Sequence, residues 1–171
     1  MTKGIIIDLP YPEVDEIEED IYSARIIFPA YSWLHSELGA ILQYIYHSFY
    51  FENQNDKETA KILTGIAVAE TLHFNLLGKA LVKLGVDPTC SVSFGAKGGH
   101  FNTSGISYSK TKQKMIMDDI CAEVGAIKLY DEMLDKLKND KVGAIIKRIK
   151  LDEELHIKVL KERIEQGFDN E

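Results

Sequence analysis

At 171 residues with a formal charge of -7 and a pI near 5.3, the chain has the length of one ordinary domain, enough to bury a real core and too short to need a second. Its acidic balance excludes the basic stripe with which proteins grip phosphate backbones, so nucleic acid is not an expected partner. Only Cys90 and Cys121 are present, outside any CxxC spacing, which excludes a disulfide framework or a cysteine-ligated metal knuckle and points to a reducing, cytoplasmic setting.

Residues 1–20 read as an extended lead-in, in which a short apolar run gives way to Pro10 and Pro12 around Tyr11 and then to acids; neither an export signal nor a membrane span of ~20 apolar residues is expected. From 21 to 168 apolar residues recur at spacings of three and four in four long segments, the helical period. The first expected helix continues to about Glu52, its main body opened by Pro29. The second starts at Asp56, a suitable N-cap, and stops at LGVDP, where Gly85 and Pro88 end it. Residues 87–108, rich in Gly, Ser and Thr, form a long crossover. A third helix spans about Ser109 to Lys138 and a fourth about Lys141 to Gln166. Short links within each pair and a long one between pairs predict an all-α four-helix bundle, two antiparallel pairs joined by the crossover.

Two near-repeats place charge inside this bundle. ELGAILQY at 37–44 and EVGAIKLY at 123–130 put Glu37 and Glu123 on the apolar stripes of the first and third helices. ETLHFNLL at 70–77 and EELHIKVL at 153–160 share ExLHxxxL on the second and fourth. Residues three apart on a helix share a face and rise ~4.5 Å, so Glu70 with His73, and Glu153 with His156, can each direct an oxygen and a ring nitrogen to one point. Glu154, two residues from His156, faces sideways. Nearly equal offsets separate Glu37 from Glu123 and Glu70 from Glu153, so the second half is a degenerate copy of the first about a pseudo-twofold axis.

A single Glu or His on an apolar face is ordinarily a hydrogen-bonded core residue. Six in register, with no Lys or Arg on the same inner face and with Lys128 and Lys136 off the stripe, are metal-ligand spacings instead. Four glutamates are balanced by two divalent cations, with neutral imidazoles adding nothing. Glu with ExxH on paired helices is the general signature of di-metal bundles. The expected ligands are Glu37, Glu70, His73, Glu123, Glu153 and His156, with two carboxylates bridging the ions. Tyr44 and Tyr130, seven residues after Glu37 and Glu123, read first as core filling, with a hydrogen bond to a ligand carboxylate as the alternative. Asp119, four residues before Glu123, is a further candidate to hydrogen-bond a ligand side chain; His35, His47 and His100 lack partners at ligand spacing and read as structural or exposed. GAKGG lacks the ending of a phosphate loop and no strand precedes it.

With these motifs the chain resembles the ferritin-like superfamily of carboxylate-bridged di-metal proteins across all four helices. SELGAILQY, GIAVAETLHFNLLGKAL and DDICAEVGAIKLY are most similar to small rubrerythrin-like and manganese-catalase-like bacterial proteins. The resemblance implies a ferritin-like bundle holding two iron or manganese ions and an oxidoreductase of oxidative-stress defence acting on hydrogen peroxide or dioxygen. It would be a catalase if a second peroxide returns the electrons and a peroxidase if an external donor protein does. Non-catalytic iron handling is the alternative. Iron and manganese accept the same oxygen and imidazole ligands, so the residues do not choose between them. There is no CxxC rubredoxin-like site, so a reductant must come from another protein, and the additional carboxylate ligand of rubrerythrins has no identified counterpart. Only GFDNE follows the fourth helix, where storage ferritins carry a fifth, so a cage is not expected. Met115, Met117 and Met133 read as helix residues, not haem ligands. Apolar positions at Ile26, Ile27, Phe28, Phe49 and Phe51 point to a partner surface and a homo-oligomer.

Overall fold

The computed structural model describes residues 4–168, Ala96 by its backbone only; the ends of the expected lead-in (1–3) and of the GFDNE tail (169–171) lie outside them. Five α-helices follow one another: α1 Ile21–Ser32, α2 Glu37–Asn53, α3 Lys57–Lys83, α4 Lys112–Leu134 and α5 Asp140–Gln166. No strand occurs among the described residues. With α1 and α2 as one interrupted rod, this is the expected all-α four-helix bundle, α2 lying along α3 and α4 along α5. Among the described residues no helix is long and apolar enough to cross a membrane.

The first rod departs from the continuous helix expected to Glu52. Pro29 lies within α1, and the interruption comes later, at residues 33–36, where Ser36 takes an extended conformation. Its hydroxyl donates to the Trp33 carbonyl at 2.7 Å and accepts from the Gly39 amide at 3.4 Å. Ser36 thus satisfies an orphan donor of a new helix start, and Glu37 becomes the first residue of α2. The other helix starts are capped in the same way, by Asp20, Asp56, Thr111 and Asn139. Thr111 and Asp135 bound α4 more tightly than the expected 109–138.

Two apolar cores fill the bundle. One gathers Ile27, Phe28, Leu77, Leu81, Tyr130, Ile145 and Ile149; the other Tyr44, Phe51, Leu63, Ile66, Met115, Ile116 and Leu160. The suggested partner surface is corrected here: Ile27, Phe28 and Phe51 are buried, Ile26 is half-buried, and only Phe49 is exposed, at 63 %. Ile27, three residues before Ala30, and Phe51, seven after Tyr44, repeat the buried stripe of their own helices, and Phe28 packs with residues of α3 and α5.

The crossover is fastened over the interruption. Ser32 and Ser91 exchange hydrogen bonds at 3.2 Å, Ser107 donates its amide to Gln43 Oε1 at 2.7 Å, and the Ser107 carbonyl lies 3.2 Å from His47 Nε2. Gly105 packs directly on the Leu34 main chain, with no room for a β-carbon against that rigid carbonyl. Gly105→Ala is therefore expected to destabilise the protein by about 1–3 kcal/mol, the usual cost of overpacking. Thermal unfolding checks this, and an unchanged Tm would mean the crossover is not held there.

Candidate metal centre

A polar layer lies between the two cores. The turn spacing of α3 and α5 brings Glu70, His73, Glu153 and His156 inward, Glu37 enters from the start of α2 and Glu123 from mid-α4, and all six are at most 3 % exposed. His73 Nδ1 lies 3.5 Å from Glu37 Oε2, 3.5 Å from Glu70 Oε2 and 3.2 Å from Glu153 Oε1. His156 Nδ1 lies 3.1 Å from Glu70 Oε1, 3.4 Å from Glu123 Oε1 and 3.0 Å from Glu153 Oε2. The six therefore form two overlapping groups, Glu37, Glu70, His73 and Glu153, and Glu70, Glu123, Glu153 and His156, with ligand atoms within 4.8 Å of one another. Glu70 and Glu153 belong to both, offering one oxygen to each.

Among the described residues no Lys or Arg pairs with these glutamates. Arg148 is buried on α5, but its guanidinium goes 2.8 Å to Asp152 and to the carbonyls of Ile7 and Leu9. Both imidazole Nδ1 atoms, Glu37 Oε2, Glu70 Oε1 and both Glu153 oxygens are buried without hydrogen-bond partners. Orphaned lone pairs on hard oxygens and imidazoles, converging on one place, fit a divalent transition-metal ion and not a sealed apolar core. The cluster can bind metal ions.

Both tyrosines are buried and bonded as well. Tyr44 on α2 donates to Glu123 on α4, and Tyr130 on α4 donates to Glu37 on α2. That cross-pairing, two turns along each helix, is why the two octapeptides share both a Glu and a Tyr. Asp119, by contrast, faces away from the centre: it accepts from Gln43 at 2.8 Å and lies 2.9 Å from His47 Nδ1. His47 is thus structural, while His35 and His100 are exposed. Glu154 is 52 % exposed and faces Lys150.

The outer nitrogens of the histidines meet residues that sequence reasoning missed. His73 Nε2 lies 3.0 Å from Asp152 Oδ2, and His156 Nε2 lies 3.1 Å from the Ile5 carbonyl. Asp152 also accepts from the Ile7 amide at 2.8 Å and from the Tyr11 hydroxyl at 2.5 Å. The Arg148/Asp152 spacing of four on a helix face was a readable signal of a buried ion pair; the lead-in's contribution had none, because it depends on contacts more than a hundred residues apart.

On the opposite side, between α2 and α4, a cavity of about 50 Å³ opens on the cluster, lined by Glu37, Tyr44, Glu123, Tyr130 and the small residues Ala30, Gly39, Ala40, Ala122 and Ala126. A wider cavity of about 860 Å³ adjoins it past Leu34, Gly105 and Ala122 and reaches Trp33 and Cys121.

The pattern of the ferritin-like domain matches residues 32–167. The chain belongs to the ferritin-like domain family. No curated protein sequence matches it. Among solved structures, this ferritin-like chain is similar to KatB, a manganese catalase from Anabaena, at 19 % identity over 93 % of this chain and 78 % of that one, with a TM-score of 0.81. It is similar also to a Mycobacterium tuberculosis bacterioferritin, BfrA, at 20 % identity over 87 % of each chain and a TM-score of 0.72. The Rhodobacter capsulatus bacterioferritin matches at 22 % over the same shares, with a TM-score of 0.68. At these identities the likeness is one of fold.

Burial, then the charges of Glu70 and Glu153, push the Glu37 carboxyl well above the usual range; burial with Glu153 and Glu70 pushes Glu123 up to about 8. Burial opposes charge on His73 and His156, yet the surrounding carboxylates hold both well above an ordinary histidine. Glu70 moves the other way: despite burial, the adjacent Glu37, His156 and His73 side chains keep it well below its usual value. Groups with raised values bind protons more tightly folded than unfolded, so their stabilisation is complete at low pH and lost as pH rises through the folded values. Glu70 loses its contribution only below the ordinary carboxylate range. Chelator-stripped protein is therefore expected to lose stability as pH rises from about 5 to about 8, and metal-loaded protein to resist that loss because cations replace the protons. Denaturant unfolding across that range checks both curves; a stripped protein that gains stability with pH contradicts the assignment.

Proposed function

We propose that the protein is a two-metal oxidoreductase acting on hydrogen peroxide or dioxygen in the manner of a catalase or peroxidase. The observation that carries this reading is the pair of overlapping ligand groups sharing Glu70 and Glu153, set beside a cavity sized for small molecules. In it, Glu37 and His73 would hold one iron or manganese ion and Glu123 and His156 the other, with Glu70 and Glu153 available to both. When bound, the ions supply reversible one-electron changes to an oxygen substrate.

The chain's own residues supply geometry and access. Tyr130 and Tyr44 hold the terminal carboxylates Glu37 and Glu123, each from the opposite helix, so an oxygen of each is turned toward the centre. The cavity between α2 and α4, about 50 Å³, has room for a few water-sized molecules. Ala122, Ala126 and Gly39 leave that room, Leu34 and Leu129 line it as well, and its size suits peroxide or dioxygen. A peroxidase cycle then needs an external electron-donor protein, whereas a catalase cycle does not. Free Cys90 and Cys121 fit a reducing, cytoplasmic setting. Exposed Leu42 and Phe49 on α2 and Val68 and Leu72 on α3 support a homo-oligomer.

The fold likeness to bacterioferritins favours a second reading, in which the same ligands take up and oxidise iron without turnover. Peroxide added to manganese- or iron-loaded protein separates the two. Oxygen evolution identifies a catalase, consumption only with an added reductant a peroxidase, and neither, together with iron uptake, iron handling. Glu70→Gln removes a shared carboxylate and is expected to lower turnover by roughly 100-fold or more while the helices still form; wild-type rates in that variant would place the chemistry elsewhere.

A further inference from the structure

The repeat that duplicates the ligands does not duplicate what stands behind them. Asp152 precedes Glu153 on α5, and the corresponding residue before Glu70 on α3 is Ala69, fully buried and without a polar group. The α3 histidine, His73, therefore has a carboxylate at its outer nitrogen, 3.0 Å away, whereas the α5 histidine, His156, faces Ala69's helix and has only the Ile5 carbonyl at 3.1 Å.

The N-terminal segment builds this difference. Ile5 packs on Gly65 of α3, where a β-carbon would lie 3.3 Å from its side chain. Arg148 grips the Ile7 and Leu9 carbonyls at 2.8 and 3.0 Å and lies over the Tyr11 ring at 4.3 Å. The segment then gives Asp152 the Ile7 amide and the Tyr11 hydroxyl, fixing which oxygen faces His73. Arg148 and Tyr11 moderate the charge of Asp152 but leave it an anionic acceptor, and such hydrogen bonds are roughly twice as strong as neutral ones.

Resting on the two-metal reading, we propose that the two positions are unequal. The one at Glu37 and His73 binds its ion more tightly, because its histidine is backed by Asp152 and the N-terminal segment where its counterpart is backed by a main-chain carbonyl. Losing an outer partner of a metal-binding histidine costs about 10- to 100-fold in affinity. A main-chain carbonyl in place of a carboxylate forfeits a large part of that, because the charge-assisted bond is roughly twice as strong. The opposing influence is the position of Glu37 at the positive start of α2, which weakens it as a donor by about two- to fivefold. The carboxylate prevails.

The test is anomalous diffraction from crystals of the full-length protein supplied with less than one equivalent of Mn²⁺ per chain. The expected wild-type result is a peak at the Glu37/His73 position several-fold stronger than at the Glu123/His156 position. Asp152→Asn is expected to bring the two toward equality, and Tyr11→Phe, which keeps the ring under Arg148, to reduce the ratio a few-fold. General loosening lowers both peaks and leaves their ratio alone, so the ratio isolates the outer partners. Equal wild-type peaks, or a ratio unmoved in both variants, overturn the proposal. No peak at either position even with excess Mn²⁺ overturns the two-metal reading beneath it.

Discussion

Four carboxylates meet in a layer between two apolar cores, and the rest of the molecule is arranged around that fact. Burying one unpaired carboxylate costs several kcal/mol, and four of like sign raise one another's cost. Burial and like charge together push Glu37 and Glu123 toward the protonated form. Such a layer is compatible with a folded chain only if protons or cations sit within it, and with no Lys or Arg among the described residues reaching the glutamates, divalent metal is the form of neutralisation that also uses the unpaired imidazole nitrogens.

The same constraint explains why the bundle has one closed and one open side. On the closed side the N-terminal segment lies over α3 and α5, where Ile5, Ile7 and Tyr11 hold, directly or through Asp152, the outer faces of both histidines. On the other side small residues of α2 and α4 leave a cavity, and the interruption at 33–36 is covered by the crossover through Gly105 and Ser107. A centre that is rigid behind and accessible in front keeps its ligands in place while a small molecule enters.

Much of this was legible in the sequence because helical periodicity is local. Glu37, Glu70, His73, Glu123, Glu153 and His156 each occupy a face that can be read within two turns, and the ExLHxxxL repeat ties two helices to one point. The interruption before Glu37 was harder to see, because apolar spacing runs through it and Pro29 drew attention from Ser36, the residue that caps the new helix. Ile27, three residues before Ala30, and Phe51, seven after Tyr44, continue the buried stripes of their own helices, a local periodicity that the sequence does carry. Tyr44 and Tyr130 were placed on the correct stripe, but their bonds cross between helices, which periodicity along one helix does not reveal. Asp152, Tyr11 and the Ile5 carbonyl come together only through long-range packing, so their part in the centre belongs to the fold.

The central claim is that cations occupy the carboxylate layer, and the most direct measurement is the metal content of protein purified without added metal. About two equivalents of iron, manganese or both per chain are expected. Less than about half an equivalent in protein that is folded at neutral pH would show that protons alone can neutralise the cluster, and would contradict it.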